Sequence, residues 1–257
     1  MKTIFLFLFF ILLTLSKVNA ESVTCNLEGC DKKYRSTEVT FTKAKNKDKP
    51  IIFFLVGGNA THTKLDPMNK LAGKNDLLVM KSPYKVDTKV FLGYCELCNS
   101  EDQVQRIKSI IIYYKNKYNK PIWLAGQSLG VQRAINYLGH SKENSKLING
   151  AIFTGAAVGN PMRTIPIKLI KDLNIPVVIL HHTKDICRFS SLTVAKEFHT
   201  EFSKINASNT EFVEISAGQL SEDDPYTCKP SGKNHMFADS RTELAEEITK
   251  FIEKNNK

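Results

Sequence analysis

The stretch "WLAGQSLGVQRAINYL", residues 123–138, changes character at a serine that stands between two glycines. Before the serine the chain is apolar and rich in β-forming residues, and after it the apolar spacing is that of a helix. Gly126, Gln127, Ser128, Leu129 and Gly130 fit the pattern G-x-S-x-G, between a predicted strand and a predicted helix. Such a sharp turn leaves no room for side chains at the two glycines. We therefore expect the Ser128 hydroxyl at the carboxyl end of a sheet, above a helix amino terminus.

The segments around this turn alternate between short apolar strands and amphipathic helices. Strands are predicted at 37–42, as an edge strand, and at 50–56, 76–80, 121–125, 150–154, 176–181 and 211–215. Helices are predicted at 101–118, 129–138, 165–173, 192–205 and 240–254. This alternation indicates an α/β protein with a mostly parallel central sheet and helices on both faces. No repeat, low-complexity tract or linker interrupts it, so we predict one domain.

A nucleophilic serine needs a base, and the base needs an acid that orients it. In this architecture the acid and then the histidine follow the serine along the chain. Asp185 follows the strand 176–181, and His235 lies between the last strand and the last helix. We expect His181 and His182, at the end of a buried strand, to support the acid loop. The remaining candidates for the acid follow the last strand and so fall on its wrong side: Asp223, Asp224 and Asp239.

The amino-terminal 20 residues have the pattern of a secretory signal peptide. A basic start, Met1-Lys2, precedes an apolar core at 4–15 and the small-residue end Val18-Asn19-Ala20. The apolar core is shorter than the roughly 20 residues that a spanning helix needs. We expect cleavage near Ala20 and an exported, soluble mature chain at 21–257, periplasmic or secreted. An uncleaved membrane anchor is the alternative.

The chain is basic, with a formal net charge of +10. Its densest lysine run, at 43–49, has no interleaved aromatic residues, so we expect a solvated loop and no nucleic-acid site. Weak attraction to an anionic surface is compatible with this charge, although charge alone does not establish it.

Six cysteines, all after residue 20, favour disulfides in an oxidising compartment, with 15 pairings open. The pair Cys95 and Cys98 has the C-x-x-C spacing of a redox motif, which is an alternative. A zinc site would need a second pair of ligands at suitable spacing, and we predict no metal.

The segments "HHTKDICRFS" and "KPSGKNHMF" look like the acid and histidine segments of small exported bacterial members of the α/β-hydrolase superfamily, which the chain resembles over essentially all of 21–257. The resemblance implies a triad of Ser128, Asp185 and His235. We predict no cofactor. It also implies an oxyanion hole from the backbone N–H of Leu129 and of Gly58 or Asn59. The chain departs from the common His-Gly-Gly form at 56–59 and has Met-Phe at 236–237 in place of Gly-Phe.

If Asp185 and His235 meet, the loops that carry them must approach each other, and each loop holds a cysteine. We therefore predict a disulfide between Cys187 and Cys228. The remaining local pairs would then be Cys25–Cys30 and Cys95–Cys98.

These features lead to the expectation of an exported serine hydrolase that cleaves a carboxylic ester, or a related acyl bond, through an acyl-enzyme. Only about 20 residues separate Thr154 from Pro176, too few for a large cap domain. We therefore expect an open site, a small-molecule or surface-displayed ester as substrate, and a monomer. An amidase or peptidase with the same triad, and a non-catalytic surface binding protein on this scaffold, are the alternatives.

Overall fold

The computed structural model describes residues 18–32, 36–57, 68–71, 74–80, 100–158, 170, 173–206, 209–218 and 234–256. Some predicted features lie outside these residues: the signal peptide up to residue 17, most of the helix 165–173, and Gly58, Asn59, Cys95, Cys98 and Cys228.

The described chain forms eight strands: β1 (Val18–Thr24), β2 (Ser36–Thr42), β3 (Ile51–Leu55), β4 (Asp76–Met80), β5 (Ile122–Gln127), β6 (Gly150–Thr154), β7 (Val177–His182) and β8 (Thr210–Ile215). They form one sheet in the order β1-β2-β4-β3-β5-β6-β7-β8. The strands from β3 to β8 are parallel, and β2 is antiparallel to both of its neighbours. The predicted mostly parallel sheet is confirmed.

The described residues contain five α-helices that connect or follow the strands: α1 (Glu101–Tyr118), α2 (Leu129–His140), α3 (Lys142–Lys146), α4 (Leu192–Ser203) and α5 (Arg241–Asn255). A short 3₁₀ helix covers Met68–Lys70. Serine side chains cap two of the long helices, Ser100 for α1 and Ser191 for α4, by accepting a backbone N–H of the first turn. None of the described helices is long and apolar enough to cross a membrane.

Two hydrophobic cores lie on opposite faces of the sheet. Side chains of β3 alternate between them, because successive residues of a strand point to opposite sides. Ile51 and Phe53 pack in the core that α1, α2 and α4 cover. Ile52 and Phe54 pack in the core that α5 covers. The prediction that helices cover both faces of the sheet is therefore confirmed.

The amino-terminal part of the sheet differs from the prediction. The strand predicted at 37–42 is β2, but the prediction that it is an edge strand is wrong, because β1 pairs along its outer side. The end of the predicted signal peptide belongs to β1, with Ala20 opposite Thr40. The sequence of β1 buries few apolar side chains, Val23 among them, so apolar alternation does not reveal it. The prediction also missed the short polar helix α3.

Candidate active site

The turn around Ser128 joins β5 directly to α2. Ser128 has φ 53° and ψ −120°, a conformation that non-glycine residues adopt only under strain. A Cβ on Gly126 would lie 2.6 Å from the carbonyl oxygen of Gly130. A Cβ on Gly130 would collide with the carbonyl oxygen of Leu55. The Ser128 backbone N–H is held by the carbonyl oxygen of Thr154 on β6, at 3.0 Å. The expected crowding at both glycines is thus present, and the serine lies at the carboxyl end of the parallel strands.

The three residues that the sequence singled out lie in hydrogen-bond contact. Ser128 Oγ is 3.0 Å from His235 Nε2, and His235 Nδ1 is 2.9 Å from Asp185 Oδ2. All three side chains are buried. With the Nδ1 proton directed at the carboxylate, Nε2 is free to accept the serine proton. The arrangement is chemically able to transfer a proton from hydroxyl to imidazole.

The carboxylate of Asp185 is held on both of its oxygens. Oδ1 accepts the backbone N–H of Cys187 at 2.9 Å, and Oδ2 accepts the hydroxyl of Ser190 at 3.0 Å as well as the bond from His235. Burial alone would raise the pKa of Asp185, but the hydrogen bond and the charge of His235 outweigh it and lower that pKa below its ordinary value. Asp185 is therefore a carboxylate at neutral pH.

Ser190 is a member of the site that sequence reasoning missed. Its hydroxyl oxygen lies 2.9 Å from His235 Nδ1 and 3.0 Å from Asp185 Oδ2, and the side chain is fully buried. Ser190 ends the quoted segment "HHTKDICRFS". No spacing rule singles it out, because its contact with His235 joins residues 45 positions apart.

The other two histidines of the region support the acid loop, as expected. His182 Nε2 lies 3.1 Å from the carbonyl oxygen of Ala217, and its Nδ1 accepts the backbone N–H of Lys184 at 3.1 Å. His181 is fully buried, with Nε2 3.5 Å from Asp185 Oδ2. Burial lowers the pKa of His181 to about 4, which the nearby Asp185 carboxylate only partly offsets. His181 is therefore neutral at neutral pH.

Two side-chain hydrogen bonds and one close approach of the backbone hold the loop that carries His235. Gln127, directly before the serine, donates its amide to the carbonyl oxygen of His235 at 3.3 Å. Asn234 donates its amide to the carbonyl oxygen of Lys184, at 3.0 Å, and so ties the histidine loop to the acid loop. Gly155, at φ 50°, has the histidine backbone so close that a Cβ there would lie 3.3 Å from the carbonyl oxygen of His235.

The oxyanion-hole prediction falls partly on described residues. Leu129 is the first residue of α2, directly after the serine, where backbone N–H groups have no intrahelical partner. Gly58 and Asn59 lie outside the described residues. The preceding Gly57 packs on the turn, since a Cβ there would lie 2.8 Å from Ser128 Cβ. Arg133 of α2 donates from Nη1 to the carbonyl oxygen of Val56 at 2.6 Å, so the end of β3 is anchored beside the serine.

A small apolar cluster, separate from the two cores, adjoins the serine. It consists of Leu129, Ala157, Cys187 and Phe189. The guanidinium carbon of Arg188 lies 4.4 Å from the centre of the Phe189 ring. Ile186, on the same loop, is 45% exposed. The acid loop therefore contributes Cys187 and Phe189 to a cluster with Leu129, the residue directly after the serine.

One predicted cysteine pair lies wholly within the described residues, and a second lies there only through Cys187. Cys25 and Cys30 form a disulfide. Cys187 is also disulfide-bonded, to a partner outside the described residues, so its pairing with Cys228 stays a prediction, as does Cys95–Cys98. Among the described residues Asp185, Cys187 and His235 form a group of metal-ligand type. Because the Cys187 sulfur is in a disulfide, this group offers no thiolate to a metal.

No family model matches the sequence, and no curated protein matches it. Solved structures match it over nearly its whole length. An esterase from Pyrococcus furiosus has a TM-score of 0.62 at 14% identity, covering 93% of this chain and 92% of that chain. A protein from Xanthomonas campestris, described as an α/β serine hydrolase without lid, has a TM-score of 0.57 at 10% identity, covering 93% and 95%.

The acylaminoacyl peptidase of Pyrococcus horikoshii also matches, with a TM-score of 0.62 at 15% identity. The match covers 93% of this chain but only 41% of the peptidase. At identities this low, a structural likeness establishes the fold and not the activity. By its strand order and its likeness to these structures, the chain has the α/β-hydrolase fold.

Proposed function

We propose that the protein is an exported serine hydrolase that cleaves a carboxylic ester, or a related acyl bond, through an acyl-enzyme. One observation carries this proposal: the hydrogen bonds that run from Ser128 Oγ through His235 to Asp185. The strained backbone of Ser128 adds support, since such strain concentrates at functional sites.

The mechanism assigns one role to each side chain. His235 Nε2 takes the proton of Ser128 as Oγ attacks the carbonyl carbon of the substrate. Asp185 keeps the proton of His235 on Nδ1 and stabilises the imidazolium. The backbone N–H of Leu129, with one from Gly58 or Asn59, holds the negative oxygen of the tetrahedral intermediate. His235 then protonates the leaving alcohol, and the same base activates a water that releases the acid and restores Ser128.

An open site and an ester substrate fit the short connection after β6. Only about 20 residues lie between Thr154 and Pro176, and a structural neighbour is described as having no lid. The apolar cluster beside Ser128 would hold an acyl chain. Amide hydrolysis is the second candidate, because a peptidase is among the structural neighbours.

Export is part of the proposal. The amino-terminal pattern of a basic start, an apolar core and small residues supports a cleaved signal peptide. The Cys25–Cys30 disulfide and the bonded state of Cys187 suit an oxidising compartment.

Labelling with a fluorophosphonate probe tests the enzyme proposal without a known substrate. The folded wild type should label, and Ser128→Ala should not. Ser145→Ala, on α3, is the matched control and should label like the wild type. A wild type that is folded by circular dichroism yet unlabelled would overturn the proposal. Turnover of p-nitrophenyl butyrate and of the matched anilide then separates esterase from amidase.

A further inference from the structure

We infer that Ser190 is a positioning residue that holds the acid and the base of the site together. This inference rests on the proposed function. In this role Ser190 helps to stabilise the positive charge that His235 acquires when it accepts the proton of Ser128. Ser190 would act through Asp185 and His235 and would not touch the substrate.

Three short distances and the ionised state of Asp185 determine which groups donate hydrogen bonds and which accept them. Ser190 Oγ, Asp185 Oδ2 and His235 Nδ1 form a triangle whose sides are 3.0, 2.9 and 2.9 Å. An ionised carboxylate is only an acceptor, so the Ser190 hydroxyl donates to Asp185. The lone pairs of the same oxygen are then left for the Nδ1 proton of His235. That proton is therefore shared between a carboxylate oxygen and a hydroxyl oxygen.

This sharing has a chemical consequence. When His235 becomes charged, its Nδ1–H has two acceptors inside a buried site, where such bonds are stronger than in water. The two acceptors also oppose rotation of the imidazole about its Cβ–Cγ bond. Loss of the hydroxyl should therefore slow the chemical step and leave substrate binding nearly unchanged.

The surrounding turn holds Ser190 in place. Its backbone N–H donates to the carbonyl oxygen of Cys187 at 2.9 Å, and the N–H of Cys187 donates to Asp185 Oδ1. The next residue, Ser191, caps α4 by accepting the N–H of Val194. The turn through Cys187 thus limits the motion of Ser190 relative to Asp185.

A simple structural serine would have the same burial, so the experiment must separate the two roles. Ser190→Ala removes the hydroxyl. Ser190→Thr and Ser190→Val add similar volume, but only threonine keeps a hydroxyl, so their difference isolates it from packing. Ser191→Ala is the neighbouring control, because it removes the α4 cap and leaves the triad contacts intact. Each variant is assayed with p-nitrophenyl butyrate, and kcat is expressed per site that labels with the fluorophosphonate at completion.

Ser190→Ala should lower kcat by roughly 10- to 100-fold with KM within about twofold of wild type, a part of the 10²–10⁴-fold that general-base catalysis supplies. Ser190→Thr should exceed Ser190→Val in kcat by about tenfold, and Ser191→Ala should keep wild-type kcat. A wild-type kcat per labelled site in Ser190→Ala would overturn this inference but not the proposed function. Equal kcat values in Ser190→Thr and Ser190→Val would do the same. A wild type that neither labels nor hydrolyses would overturn the proposed function, and the inference with it.

Discussion

The side-chain amide of Gln127 donates a hydrogen bond to the backbone carbonyl oxygen of His235, 3.3 Å away. Its nitrogen also lies 3.4 Å from the sulfur of Met236. The residue directly before Ser128 therefore holds the loop that carries the proposed base. The turn at 126–130 therefore carries Ser128 and also holds the backbone of His235, the two proposed partners of the proton transfer.

Gln127→Ala should lower kcat about tenfold with little change in KM, because a small displacement of a catalytic group costs up to roughly 10²-fold. Steady-state kinetics with p-nitrophenyl butyrate measure both constants. Gln105→Ala is the matched control, since the Gln105 amide bonds Glu101 within α1. Equal kcat values in the two variants would contradict this role of Gln127.

His235→Ala should lower kcat by several orders of magnitude, because it removes the proposed base. His181→Ala and His182→Ala should act mainly on stability, since these side chains contact the acid loop and not Ser128. Kinetics are compared at equal folded fraction, measured by circular dichroism. A loss in either of these two variants that equals the His235 loss, in folded protein, would show that the base is misassigned.

The stability of the protein should fall as the pH drops from about 6.5 towards 4. Burial lowers the pKa of His181 to about 4 from an ordinary value of 6.5, so in this window the unfolded chain binds a proton there that the folded chain does not. The free energy of unfolding then decreases by at most about 1.4 kcal/mol per pH unit from this group. Urea unfolding at about pH 7.5, 6 and 5 measures the slope.

His181→Gln should flatten that slope and leave the difference between the two proteins constant above about pH 7. The titration of Asp185 does not contribute to the difference in slope between the two proteins. Its pKa in the folded chain is lowered from 3.8, so its stabilising contribution is complete above that value and is lost only at lower pH. The same slope in both proteins would mean that His181 is not a buried neutral imidazole.

Peptide mapping without reduction should recover Cys187 joined to Cys228. Cys187 is disulfide-bonded, and the acid and histidine loops meet through Asn234 and Lys184. Closing a loop of about 40 residues should stabilise the fold by roughly 3 to 4 kcal/mol in the chain-entropy model. Reduction should lower activity before the protein unfolds, because the bridge limits how far His235 moves from Asp185.

The double variant Cys25→Ser/Cys30→Ser is the control for that bridge. It removes the Cys25–Cys30 disulfide and should keep wild-type activity when folded. Cys187 joined to Cys95 or Cys98 would contradict the predicted pairing.

The sheet and the three contacting residues could be predicted from the sequence, because they follow from local patterns and from the order of the elements along the chain. Glycines at 126 and 130 exclude side chains from a crowded turn, which identifies Ser128. Chain order through parallel strands then restricts the acid and the base to the loops of Asp185 and His235. The predicted bounds of β4, β6 and α1 match the structure, since each is an uninterrupted apolar or amphipathic run.

Other features depend on contacts that no local pattern encodes. The strand β1 pairs through its backbone and carries little apolar alternation. Ser190 is one of many serines until the fold brings it to His235. His181 follows the apolar run of β7 like any strand residue, and its neutrality comes from burial beneath the acid loop.

The pairing of β1 with β2 restricts when a leader could be removed. Ala20 lies opposite Thr40 and Glu21 opposite Val39, so the bond proposed for cleavage belongs to a formed ladder once the sheet is assembled. A peptidase needs unpaired, extended backbone, so cleavage at this bond, if the proposed leader is removed, would have to precede the docking of β1. A mature chain that starts at Glu21 would keep the carboxylate that accepts Lys117 Nζ at 2.8 Å, and with it an anchor for the shortened strand. Under the proposed export and cleavage, the order of processing and folding would decide the length of this edge of the sheet.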